Sequence, residues 1–109
     1  MRKALIALMA GGALAAAAAP ALAQSYDAGI AQREQAIGLR IDDSARYGDL
    51  TPGQASRLRS ELREITDLDA RYQDEGMAGW QVRDLNSRLS LLSSRLNHEV
   101  NMNRDYNGY

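Results

Sequence analysis

The chain contains no cysteine, a single histidine, and one lysine, Lys3, close to its start. Without thiols there can be no disulfide, no thiolate metal site and no cysteine nucleophile. His98 is the one imidazole, and on a helix its neighbour Glu99 points about 100 degrees away. A transition-metal site would therefore need ligands from elsewhere, and the simpler role for His98 is an exposed helix-end residue favoured by the negative C-terminal dipole. Ser56, Ser60, Ser87, Ser90, Ser93 and Ser94 fall in helical segments with no base nearby. The carboxylate pairs Asp42 with Asp43 and Asp74 with Glu75 read as loop and cap residues. No catalytic constellation, cofactor or metal is expected.

Long apolar runs are equally scarce. The one continuous stretch, Ala4 to Ala19, is mostly Ala and Gly, whereas a spanning helix needs roughly 20 strongly apolar residues. Arg2 and Lys3 precede it, and Pro20-Ala21-Leu22-Ala23 ends in a small-x-small pattern, so residues 1–23 read as a signal peptide cut before Gln24. The expectation is a periplasmic or secreted protein with no stable membrane span after cleavage. Removal of the leader leaves eleven arginines against fourteen carboxylates, a net charge of about −3 with no lysine. Such a mildly acidic chain lacks the long-range attraction for phosphate on which nucleic-acid binding rests. The remaining length allows one domain, for which a single core supplies only about 3–5 kcal/mol, so self-association or a protein partner is expected.

What is present is helical period, organised around Tyr47-Gly48-Asp49-Leu50-Thr51-Pro52-Gly53-Gln54. Thr51 is placed as an N-cap, Pro52 as the first helical residue and Gln54 as the capping-box partner, while Gly48 can take the left-handed conformation that closes the preceding helix. Before this turn, Ile30, Ile37, Ile41 and Ala45 line one face of a segment from about Asp27 to Arg46, with Glu34 among the polar positions and Gly38 as an interruption. After it, Ala55, Leu58, Leu62, Ile65, Asp69 and Tyr72 alternate three and four apart, and Leu68 is expected to fill the place of Asp69. A third segment, from Gly79 to Glu99 or Val100, carries Val82, Leu85, Leu89, Leu92 and Leu96 in the same alternation.

Opposite charges four apart decorate the outer faces: Arg57 with Glu61, Arg63 with Asp67, Asp67 with Arg71, Asp84 with Arg88, and Arg95 with Glu99. An offset of 27 superimposes Ala55 on Val82, Leu58 on Leu85, Leu62 on Leu89 and Ile65 on Leu92, and a weaker copy of the turn, Gly76-Met77-Ala78-Gly79-Trp80-Gln81, lies at the same offset. Matching Ala45-Arg46-Tyr47 to Ala70-Arg71-Tyr72 makes the second loop two residues longer than the first. The plan is all-α, an antiparallel helical hairpin or a three-helix bundle built from helix-turn-helix repeats over residues 24–100. Residues 101–109 lose the apolar period and read as a disordered polar tail. Tyr47, Tyr72 and Trp80 fall at segment ends and are expected to gather at the loop end, as caps of the core or as a contact site for a partner.

Calcium is tested by register. With Gly48 at the glycine position of an EF-hand loop, Asp43 takes the first ligand position, but Ala45 and Tyr47 take the next two and neutral Gln54 replaces the closing bidentate Glu. A degenerate helix-loop-helix that packs without metal fits better. Leu50-Thr51-Pro52-Gly53-Gln54, read as Leu-Thr-x-x-Gln behind a cleaved leader, resembles the Spy/CpxP group of periplasmic proteins. The second copy of the motif keeps only Gln81 and an apolar first residue, Met77. The chain is also similar to small exported alphaproteobacterial helical proteins with a Gly-x-Leu-Thr helix-loop-helix. The first resemblance implies a thin helical dimer that works without nucleotide and holds unfolded clients or modulates an envelope sensor. The leading expectation is thus an exported, non-enzymatic, chaperone-like interaction protein. The rivals are a metal-responsive protein using His98 and acidic loops, and a structural helical partner that zips onto another coiled coil.

Overall fold

A computed structural model describes residues 29–106; the expected leader and cleavage point, the expected helix start at Asp27 and the last residues 107–109 lie outside them. Among the described residues there are three α-helices and no strand: α1, residues 29–46; α2, Pro52–Asp74; and α3, Gly79–Tyr106. The helices run up, down and up. Asp42 of α1 meets Arg59 of α2, Glu61 of α2 meets Arg95 of α3, and Arg33 and Arg40 of α1 meet Asn86 and Asn97 of α3. The two open alternatives thus resolve to a three-helix bundle.

One cluster of buried side chains holds it together. Ile30, Ile37 and Ile41 enter from α1, Leu50 from the first turn, Ala55, Leu58 and Ile65 from α2, and Leu85, Leu89, Leu92, Leu96 and Val100 from α3. All but Leu50 are positions that the three-four alternation puts on the inward face, and each fully buried aliphatic side chain is worth about 1.5–3 kcal/mol against exposure. Leu62, Val82, Tyr72 and Ala45 pack on this cluster while staying half-buried.

Three expectations about the seams change. Asp69 keeps its own place: it is buried while Leu68 is only half-buried, and Gln73 Nε2, one turn on, donates to its Oδ1 at 3.0 Å. Glu34 is likewise buried, not part of the polar face. Gly38 does not break α1, which runs through it unbroken; a Cβ there would stand 3.4 Å from Leu62 Cδ2, so the glycine lets α2 approach closely.

The charge pairs are redistributed in an informative way. Arg57 and Glu61 on α2, and Arg95 and Glu99 on α3, do not pair along their own helices: Arg95 meets Glu61, and Arg57 Nη1 lies 3.9 Å from Glu99 Oε1. The two antiparallel helices exchange partners, which turns local pairs into cross-links between helices. Among the described residues only Asp84 and Arg88 keep the expected spacing of four, at 2.9 Å. No described ion pair involves Arg63, Asp67 or Arg71, which lie on the solvent side of α2.

Both helix ends use one device. In the first turn the Gly48 N–H donates to Ala45 O and the Asp49 N–H to Ser44 O; in the second the Gly76 N–H donates to Gln73 O and the Met77 N–H to Tyr72 O. These are the paired bonds of a Schellman motif, and both glycines sit at positive φ, 81° and 98°. Because α2 persists to Asp74, three residues separate the end of α2 from the Ala78 cap position, one fewer than separate α1 from Thr51. The second loop is therefore shorter than the first, not longer. Tyr72 is still inside the helix, whereas Tyr47 lies beyond one, so the two Ala-Arg-Tyr triplets are not equivalent positions.

The largest correction concerns the tail. Helix α3 does not stop at Val100 but runs to Tyr106, and its added turns contact the first loop. Leu96, Val100 and Asn103 continue the four-three spacing, with an amide where the seam leaves the core.

Candidate functional site

The first turn is a built structure. Thr51 Oγ1 accepts from the Gln54 N–H at 3.1 Å while Gln54 Oε1 accepts from the Thr51 N–H at 3.0 Å, a complete capping box with Pro52 at the first helical position. Leu50 before the cap and Ala55 after the box are both buried in the common cluster, the positions of a hydrophobic staple. Gly48, Leu50, Thr51, Pro52 and Gln54 are thus brought together, and each has a folding role. The Leu-Thr-x-x-Gln pattern is an anchored helix start.

The end of α3 closes on this turn. Asn103 Nδ2 donates to Asp49 O at 2.8 Å and to Gln54 Oε1 at 2.7 Å, and Arg104 holds both carboxylate oxygens of Asp49, Nη2 to Oδ2 at 2.9 Å. The Arg104 guanidinium, by hydrogen bond first and by its charge as well, holds the Asp49 carboxyl below the ordinary carboxylate value. Nothing in the turn itself announces these partners. The available signal was the continuing seam spacing through Asn103.

Beside the clamp, a polar cleft of about 420 Å³ opens between α1 and α3, lined by Arg40, Asp43, Tyr47, Asn97 and Asn101 among others. Its two arginines are already engaged, Arg40 by Asn97 and Arg104 by Asp49. Tyr47 stands 75% exposed at its edge.

Tyr72 and Trp80 lie at the opposite end of the bundle. Consecutive turns of an up-down-up bundle emerge at opposite ends, so Tyr47 cannot join them, and the expected gathering of three aromatics is replaced by a pair. Their rings meet edge to face with centroids 5.4 Å apart, a geometry favoured by ring quadrupoles. Tyr72 Oη donates to Asp84 Oδ2 at 2.6 Å, and Arg88 Nε donates to the same oxygen at 2.9 Å. The phenol hydrogen bond, with help from Arg88, keeps the Asp84 carboxyl below its ordinary value and raises that of the Tyr72 hydroxyl. Gln81 is buried here. Its Oε1 accepts from the Ala78 N–H at 2.7 Å and its Nε2 donates to Glu75 Oε2 at 2.6 Å, half of a capping box without the hydroxyl.

A recess with an apolar floor lies between α1 and α2. Gly38 and half-buried Leu62 line a groove of about 400 Å³ together with Asp42, Arg59, Arg63 and Thr66. Arg59 Nη2 is held by Asp42 at 2.9 Å, and Arg63 has no described ion pair. Such a groove can take an apolar side chain and place an arginine beside a carboxylate. His98 is exposed on α3, and among the described residues no group of three His, Cys, Asp or Glu could hold a metal ion. No described helix is long and apolar enough to cross a membrane.

Comparison of the chain with protein-family models, with curated proteins and with solved structures gives no match.

Proposed function

We propose that this is a non-enzymatic interaction protein, exported to the periplasm or beyond, that holds apolar stretches of other polypeptides in the groove between α1 and α2. The supporting observation is Leu62. It occupies a seam position, yet its side chain is only half-buried and, beside Gly38, lines a recess that the bundle does not fill. Arg63, free of any described ion pair, would favour segments that carry a carboxylate beside the apolar residue. Nothing in this reading draws on nucleotide or metal, which accords with what the Leu-Thr-x-x-Gln resemblance implies.

The test is suppression of aggregation of an unfolded client by the chain beginning at Gln24, at near-stoichiometric ratio. Suppression is expected to weaken when Thr66→Arg crowds the groove rim, with the helical circular dichroism signal unchanged as the check on folding. A chain that neither suppresses aggregation nor binds a client removes the proposal.

A further inference from the structure

The three seams between helices are not alike in charge. Between α1 and α2, Arg59 is held by Asp42, and between α2 and α3, Arg95 and Arg57 meet Glu61 and Glu99. The seam between α1 and α3 instead sets arginines against neutral groups. Arg33 Nη1 donates to Asn86 Oδ1 at 2.6 Å and its Nη2 to Ser90 Oγ at 3.0 Å, while Arg40 Nη2 donates to Asn97 Oδ1. Neither arginine has an ion-pair partner among the described residues, and the two stand two turns apart on α1, about 10 Å. The facing flank of α3 is a file of amides and hydroxyls. Asn86, Ser90, Ser93, Asn97 and Asn101 follow at spacings of four, three, four and four, over about 22 Å of helix. A recess of about 210 Å³ over Ala36, Ile37 and Ser93 lies on one side of the Arg40 bridge, and the polar cleft of about 420 Å³ on the other, so the two form one trough. The carboxylates at its far end are paired, Asp49 with Arg104 and Asp43 with Arg46 at 3.9 Å.

We infer that this trough binds a linear glycan that carries carboxylates. Both guanidiniums keep donors in reserve: Arg33 Nε, and Arg40 Nε and Nη1, make no described hydrogen bond. A planar guanidinium matches a carboxylate, and a charge-assisted bond is stronger than one to the neutral oxygens held now. The amides and hydroxyls of α3 both donate and accept, which suits a ligand whose other polar atoms are hydroxyls. Exposed Tyr47, at the wider end, supplies an aromatic ring on which the apolar face of a sugar can stack. An acidic peptide fits less well. Its extended chain sets side chains of one face about 7 or 13 Å apart, to either side of the arginine spacing, and its backbone finds no strand edge among the described residues. The trough and the recess between α1 and α2 are on different faces, so this binding is separate from client holding.

Titration calorimetry of the chain beginning at Gln24, which retains every described helix, should show binding of a galacturonic acid hexamer that weakens as salt is added. A neutral glucose hexamer and a glutamate hexapeptide should each bind more weakly. Arg40→Gln should lower affinity for the galacturonate by about tenfold. Asn97→Asp provides the second reading, because it gives Arg40 the carboxylate partner that the other seams already have. It should hold or raise the melting temperature while lowering affinity by about tenfold, which a loss of folding does not do. Thr66→Arg, on the other groove, should leave galacturonate binding unchanged. Absence of galacturonate binding, equal binding of the glucose hexamer, or an Asn97→Asp variant with undiminished affinity would each overturn the proposal. So would equal or tighter binding of the glutamate peptide, since the trough would then be a site for acidic polypeptides, and so would equal weakening by Thr66→Arg.

Discussion

The two turns share a C-cap and differ in nearly everything after it. Both helices end on a glycine at positive φ with the same pair of backbone bonds. The first turn then adds a buried leucine, a hydroxyl cap, a reciprocal glutamine and a clamp from α3. The second has a half-buried Met77, itself strained at φ 50°, an alanine in place of the hydroxyl, and a glutamine that completes only half of the box. Turn geometry is thus repeated where the backbone demands it, by glycine, and relaxed where side chains carry it. Closure of the second end depends instead on one aromatic pair and the Tyr72–Asp84–Arg88 chain.

Leu50 tests this difference most severely. Leu50→Ala should lower stability by about 2–4 kcal/mol, since it removes a buried side chain from a packed site, whereas Met77→Ala should cost clearly less; denaturant unfolding of both variants measures the gap. Asn103→Ala comes next. It leaves Asp49 O and Gln54 Oε1 each short of a donor and should cost about 1–2 kcal/mol, with hydrogen exchange accelerated at residues 48–54 and not at 75–81. Thr51→Ala should cost about 1 kcal/mol, and Ala78→Ser should recover about 0.5 kcal/mol by completing the second box. Loss of stability on adding the serine hydroxyl would show that the second turn is strained beyond what a cap can relieve.

Much of this arrangement was readable in advance. The apolar alternation located the core, because burial on one face of a helix leaves a period of its own, and Thr51, Pro52 and Gln54 marked a helix start by local chemistry alone. Pairings across the bundle were not readable. Arg57 has the same spacing to Glu61 whether it bonds there or to Glu99, so a solvated helix face and an interhelical clasp look alike along the chain. Residues 101–106 do lose the apolar period, but Asn103 and Arg104 among them reach partners 49 or more residues away. Tyr47, Tyr72 and Trp80 illustrate the same limit: each is at a segment end, and only topology decides which end of the bundle that is.

Acid offers the gentlest way to separate the two ends. Asp49 and Asp84 both have folded-state values below the ordinary 3.8, the first through Arg104 and the second chiefly through the Tyr72 hydroxyl. A carboxyl depressed in the folded state contributes stability that is complete above its unfolded value and is lost as pH falls through the folded one. Melting temperature should therefore hold from neutrality to just above pH 4 and fall below it. Asp84→Asn should flatten that fall and leave Asp49 to carry the remainder, while Tyr72→Phe, which frees Asp84 of its main hydrogen-bond donor, should reproduce part of the flattening with every charge intact. At the alkaline side the sign reverses. Tyr72 is raised above 10.0 when folded, so its contribution is complete below that pH and is lost as pH climbs through the raised value. The first end has no such group in its clamp, and a loss of stability above pH 10 that persists in Tyr72→Phe would mean that the phenol–carboxylate bond does not distinguish the two ends.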